Sequence, residues 1–190
     1  TSTYTKLHDF DGSNGEGPRG SLLIANNGNL FGMTSSGGQF NYGVIFGFNP
    51  ITTLFSLKKS FSAAEGKYPN GALLELSPGR FYGVCIRGGI NDDGTLFEYN
   101  LSNNTITLHL NFDETISGSY PQGTLSLASN GKLFGSAGLG GTYDRGVIFE
   151  FDPLTNVFTK RFEYPDVIDG YSCPGSLMQH SSGKMYGITN

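Results

Sequence analysis

The chain of 190 residues has no tryptophan, two cysteines and three methionines, and only 15% of its residues are charged. Cys85 and Cys173 supply neither a disulfide framework nor a C-x-x-C metal pair, so both are expected to be small buried free thiols. The low charge argues against disorder. No apolar run reaches membrane-spanning length, so no span is expected in this segment. Residues Thr1 to Phe10 lack the basic-then-apolar order of a signal peptide. A basic stripe is missing as well. With a net charge of −4 and a pI near 5.3, nucleic acid is excluded as a partner. No segment sustains a 3.6-residue apolar period, and each apolar run stops at Gly, Pro or Asn within strand length, so almost no helix is expected. G-x-S-x-G, H-E-x-x-H and Walker A motifs are also absent, which leaves no catalytic signature.

Glycine, by contrast, is abundant, with 29 residues in no collagen-like period, and it marks a repeat. An aromatic-glycine pair recurs at Phe31-Gly32, Tyr82-Gly83, Phe134-Gly135 and Tyr186-Gly187, about 52 residues apart. Gly-Gly follows at Gly37-Gly38, Gly88-Gly89 and Gly140-Gly141, and then Gly43-Val44-Ile45-Phe46, Gly94-Thr95-Leu96-Phe97 and Gly146-Val147-Ile148-Phe149. Upstream, Gly20, Gly71, Gly123 and Gly175 each precede a small residue and a leucine.

Each unit reads as four short strands, a to d. In the first unit these are Gly20 to Ile24, Leu30 to Thr34, Gly43 to Phe48 and Leu54 to Phe61. Asn27-Gly28 and Asn130-Gly131 suit tight a–b hairpins, and Asn49-Pro50 and Asp152-Pro153 suit type I c–d turns. Strand c is nearly all apolar and is expected to be buried on both faces. Strand a opens on small residues and belongs at a crowded axis. Strand d carries lysines such as Lys58, Lys59 and Lys160, which protect an outer edge. The fold class that follows is all-β: a β-propeller, or a propeller fragment, of four-stranded antiparallel blades. The expected boundaries are 1–10 for a lone outer strand, 11–61, 62–112 and 113–162 for three repeats, and 163–190 for a partial fourth. An incomplete ring would leave one blade face open, with Val147, Phe149 and Phe151 partly in water. It would self-associate or await missing repeats.

The Gly-Gly corner and the Asx-Pro-x-Thr-x-x-Phe turn at Asn49 to Phe55 and Asp152 to Phe158 resemble a kelch repeat with phenylalanine in place of tryptophan. The run Leu7-His8-Asp9-Phe10, Asp11-Gly12, Pro18-Arg19-Gly20 and Asn27-Gly28-Asn29-Leu30-Phe31-Gly32 is more similar to the GloVer-type tandem repeats of bacterial surface and secreted proteins. That resemblance covers essentially the whole chain. It implies an extracellular or cell-surface bacterial protein and carries no catalytic residue set.

Antiparallel order puts the tight a–b and c–d hairpins on one side of the ring and the longer b–c and d–a loops on the other. The long loops gather eleven acids against four bases, and their side chains vary most between copies. From them come the candidate ligand-contacting residues Arg87, Asp92, Asp93, Asp113, Glu114, Tyr143, Asp144 and Arg145. Tyr68, Tyr120 and Tyr171 are further rings on which a sugar would stack. The function this suggests is a non-enzymatic binding or scaffold module for a protein or carbohydrate ligand, with basic partners favoured by the acidic face. The alternative is an extracellular carbohydrate-active enzyme that uses the carboxylate pairs Asp92-Asp93 and Asp113-Glu114. No cofactor is required. Asp9-Phe10-Asp11 opens like a calcium loop but lacks its later ligands, which leaves a loop-bound cation such as calcium as the only one to consider.

Overall fold

The computed structural model describes residues 3–165 and 175–189, and among these there is no helix. Three four-stranded antiparallel sheets follow one another, each in simple sequence order. The first holds β1 (Glu16–Ile24), β2 (Leu30–Ser36), β3 (Val44–Asn49) and β4 (Leu54–Ser60). The second holds β5 (Lys67–Ser77), β6 (Arg80–Arg87), β7 (Thr95–Asn100) and β8 (Thr105–Asn111). The third holds β9 (Ser119–Leu127), β10 (Leu133–Leu139), β11 (Val147–Asp152) and β12 (Val157–Glu163). A two-stranded ribbon, β13 (Met178–Gln179) and β14 (Met185–Tyr186), follows the third.

Blade packs on blade through alternate residues of the middle strands, because a strand with two apolar faces must find a neighbour on each. Phe31, Met33 and Ile45 of blade 1 meet Leu73, Phe81 and Phe97 of blade 2. The Phe31 and Phe81 rings lie 4.7 Å apart. Tyr82, Val84 and Leu96 then meet Leu125, Leu133 and Phe149 of blade 3. Each fully buried phenylalanine contributes roughly 1.5–3 kcal/mol. Strand a is innermost, as its small residues suggest. An added Cβ on Gly20 would lie 2.2 Å from the Gly71 carbonyl oxygen, and one on Gly71 would lie 2.2 Å from that of Gly123.

Three expectations are corrected. Residues 3–10 form no strand. Instead, His8 stacks on Phe55 with 3.6 Å between ring centres, and Phe10 meets Phe46 edge-on. Strand a begins about four residues earlier than its glycine, so Glu16, Arg19 and Lys67 lie in strands and not in loops. The prolines at 18, 69 and 121 concealed this. They are tolerated because strand a pairs on one side only and needs no ladder N–H on the other. Finally, Val147, Phe149 and Phe151 are fully buried. They lie in the blade 2–blade 3 core, while the open face is that of blade 1, where Leu22 (53%), Ile24 (73%) and Leu57 (41%) are exposed.

Candidate functional site

The b–c corner is built the same way in all three blades. The first glycine of each Gly-Gly pair adopts positive φ and donates its N–H to an Asx side chain four residues on. The partners are Gly37 to Asn41, Gly88 to Asp92 and Gly140 to Asp144, each at 2.9 Å. All three Asx residues are themselves left-handed, with φ between 52° and 61°, a conformation that short amide and carboxylate side chains tolerate. The second glycine donates to the preceding d–a loop, Gly38 to Gly12, Gly89 to Ala63 and Gly141 to Glu114. The two classes of long loop are therefore tied together on one side of each blade.

Asp92 and Asp144, expected as ligand contacts, thus hold the loop backbone first. Asn41 does the same work without charge, which sets up a direct test. Asp144→Asn should change stability by less than ~0.5 kcal/mol, while Asp144→Ala should cost about 1–2 kcal/mol in urea denaturation, because it removes one hydrogen bond and strands the Gly140 N–H. Equal costs would place the charge, and not the bond, in the structural role.

The other expected acids are similarly engaged. Asp113 accepts from the Thr115 hydroxyl (2.7 Å) and N–H (3.0 Å) and from the Ile116 N–H (3.2 Å), and the Thr115 bonds hold its carboxyl below the usual range. Asp93 accepts from the Glu114 N–H at 3.1 Å, which links the blade 2 corner to the next d–a loop. Asp11, the candidate cation ligand, closes a turn by accepting from the Ser13 hydroxyl and the Asn14 N–H. The Glu114 side chain, Tyr143 and Arg145 make no hydrogen bond or ion pair among the described residues, and Tyr143 is 53% exposed. Asp166, Asp169, Tyr171 and Cys173 lie outside the described residues, whereas Cys85 is a buried free thiol.

Blade 2 brings together a group the sequence concealed. Its strand pairing places Lys67 opposite Arg87, where blade 1 has Glu16 opposite Ser36 and blade 3 has Ser119 opposite Leu139. Lys67 binds Asp92 at 2.9 Å, and this contact holds the Asp92 carboxyl down and raises the lysine. Arg87 lies 3.8 Å from the same carboxylate and covers the Tyr120 ring at 4.1 Å. Lys67 also lies over Tyr42 at 5.4 Å, and Tyr42 meets Tyr68 edge-on at 6.3 Å. The backbone locks the cluster across blades, since the Tyr68 N–H bonds the Tyr42 carbonyl and the Tyr120 N–H bonds the Asp93 carbonyl. Tyr42, Tyr68 and Tyr120 thus line one arc of the long-loop side with two cations between them. Of these residues Arg87, Asp92 and Asp93 were expected as ligand contacts and Tyr68 and Tyr120 as stacking rings, while Lys67 and Tyr42 were not among the candidates. The signal for Lys67 was the pairing of strand a ahead of its proline.

Residues 1–190 match the Gloeobacter/Verrucomicrobia repeat. No curated protein sequence matches the chain. Among solved structures, the extracellular domain of a protein described as a one-component system from B. thetaiotaomicron superposes with TM-score 0.56 at 13% identity, over 89% of this chain and 20% of that one. A gluconolactonase from Xanthomonas campestris gives 0.57 at 9% identity, over 89% and 53%. TolB from Acinetobacter baumannii gives 0.55 at 16%, over 96% and 42%. The chain therefore spans between a fifth and about half of these proteins, and the likeness is one of propeller-like fold. No helix among the described residues is long and apolar enough to cross a membrane.

Proposed function

Because the chain belongs to the Gloeobacter/Verrucomicrobia repeat family, with the propeller-like fold described above, we propose that it is a non-enzymatic extracellular or cell-surface binding module that engages a protein or carbohydrate on its long-loop side. The observation that carries this reading is the arc of Tyr42, Tyr68 and Tyr120 interleaved with Lys67 and Arg87. Tyrosine faces offer broad contact at low entropic cost, and the cations add directional donors. Glu114, Tyr143 and Arg145 continue the surface towards blade 3 with side chains not committed to the scaffold. Three of the four carboxylates that a glycosidase would use support binding over catalysis, since Asp92, Asp93 and Asp113 each accept a backbone N–H and only Glu114 is left uncommitted. The open face of blade 1 suits another blade of the same repeat, because that packing is already used at the two seams on either side of blade 2. It would come from further repeats or from a second copy.

The test is a screen of the chain against immobilised oligosaccharides and against peptides ranging from acidic to oligolysine. The captured class should lose affinity at least about tenfold on combining Tyr68→Ala, Glu114→Gln, Tyr143→Ala and Arg145→Ala, none of which removes a loop-closing bond. A control pair on the hairpin tips, Ile51→Lys and Leu154→Lys, should leave it unchanged. Capture of basic peptides should weaken as salt rises. Equal loss from the hairpin pair, or turnover of a saccharide, would overturn the reading.

A further inference from the structure

On the opposite, tight-hairpin side, blades 2 and 3 each bury a carboxylate at the same repeat position in strand c. Glu98 (4% exposed) is held by Arg80 at 2.5 Å, the Tyr82 hydroxyl at 2.7 Å and His109 at 3.2 Å. Glu150 (3% exposed) is held by Lys132 at 2.7 Å and by two nitrogens of Arg161 at 2.9 and 2.6 Å. Burial works against the charge on Glu150, and the bonds from Lys132 and Arg161 outweigh it, so its pKa lies below the usual range. The design in both blades is a carboxylate on strand c gripped by a base from the start of strand b and a base from strand d.

Blade 1 keeps part of the grip and lacks the carboxylate. Gly47 stands where Glu98 and Glu150 stand, Asn29 where Arg80 and Lys132 stand, and Lys58 where His109 and Arg161 stand. A cavity of about 230 Å³ opens there, lined by Asn29, Phe31, Gly47, Ser56 and Lys58 among others. The Lys58 chain reaches across the vacated position, since a Cβ on Gly47 would lie 2.9 Å from its Cε. Lys58 makes no ion pair among the described residues. The half-buried Lys58 and the Asn29 amide thus line a space whose two counterparts are each filled by a carboxylate, and a cation of this kind favours an anionic partner over partial desolvation alone.

We propose that this cavity binds a small organic carboxylate, whose oxygens take the place of the Glu98 and Glu150 carboxylates between Lys58 and the Asn29 amide. The Phe31 ring and the Phe48 edge of the cavity favour a short aliphatic tail over a bare inorganic anion. The site lies on the hairpin side, so its failure would leave the long-loop reading untouched.

The experiment is an amide chemical-shift titration of the whole chain with acetate, propionate and succinate, against sodium chloride at matched ionic strength. Saturable shifts confined to residues near Asn29, Gly47 and Lys58 are expected, with a dissociation constant in the millimolar range. Lys58→Gln, which removes the charge and leaves a polar side chain one atom shorter, should weaken binding about tenfold, the size of one lost charge-assisted bond. Gly47→Glu should abolish binding while the melting temperature holds or rises, because the new carboxylate occupies the site; the flexible end of Lys58 must move to admit it, and Phe31 Cε1 and Ser56 Oγ, each 3.3 Å from the new Cβ, must give slightly. Equal shifts with chloride, no saturation at tens of millimolar carboxylate, or a folded Gly47→Glu chain that still binds would each overturn the proposal. If Gly47→Glu fails to fold, Lys58→Gln alone decides.

Discussion

Alanine at Gly71 should cost at least ~3 kcal/mol and lower the urea midpoint sharply, among the largest single-residue effects in the chain. Two penalties combine. Gly71 has φ +81°, where an L side chain is strained by about 1–2 kcal/mol. Its Cβ would also lie 2.2 Å from the Gly123 carbonyl oxygen and 2.4 Å from the Gly123 carbonyl carbon. Backbone cannot swing aside as a side chain can, so strands a of blades 2 and 3 must separate at the axis, where the Ala72 N–H also donates to the Thr124 hydroxyl at 2.8 Å. Gly131→Ala is the matched control. Its φ is +81° as well, but nothing lies within 4 Å of the added carbon. It should therefore show the conformational cost alone. If the two variants lose the same stability, the axial contact is not a constraint, and the recurrence of glycine at 20, 71, 123 and 175 has another cause.

That glycine shows what a single sequence makes legible. Blade architecture, strand order, the inner place of strand a and the double burial of strand c were readable, because each leaves a periodic mark: glycine at a close approach, β-branched and aromatic runs in strand c, Asx-Gly in the hairpins. Less readable were features whose cause lies between repeats. The start of strand a was hidden because Pro18, Pro69 and Pro121 read as loop residues when the free edge beside the axis is not in view. Asp92 and Asp144 were legible as acids on the loop side but not as backbone caps, although Asn41 at the same repeat position was the available clue. The Lys67–Arg87 pair needed the strand register, and its tyrosines come from three blades. Glu98 and Glu150 did leave a signal, since a charge recurring inside an apolar strand marks a buried ion pair. The open face was assigned to the wrong blade because the side on which consecutive blades stack follows from the propeller's handedness, which composition does not carry.

The exposed face of blade 1 makes the remaining large effect conditional on position. Phe112→Ala should cost about 3–5 kcal/mol, the range for a large side chain deleted from a closed core. Phe112 is fully buried, meets Phe149 edge-on at 5.4 Å and Phe158 at 6.4 Å, and donates its N–H to the Gly94 carbonyl at 2.9 Å. Phe10 holds the same repeat position two repeats earlier, with Phe61 between them, and its ring meets Phe46 in the same edge-on way at 5.1 Å. It is only half-buried and borders an open apolar cavity of about 310 Å³ lined by Leu7, Leu22, Phe46 and Phe55 among others. Deleting its ring leaves water where the closed seam would be left with a void, so in a monomer Phe10→Ala should cost no more than about 1–2 kcal/mol. The comparison reads the state of the open face. If another blade covers it, from a second copy of the chain, the Phe10→Ala cost should climb towards that of Phe112→Ala as protein concentration rises, in step with the mass seen by light scattering. A small and concentration-independent cost, with a monomer by scattering, would mean that blade 1 stays open in this chain and that self-association is not how the face is covered.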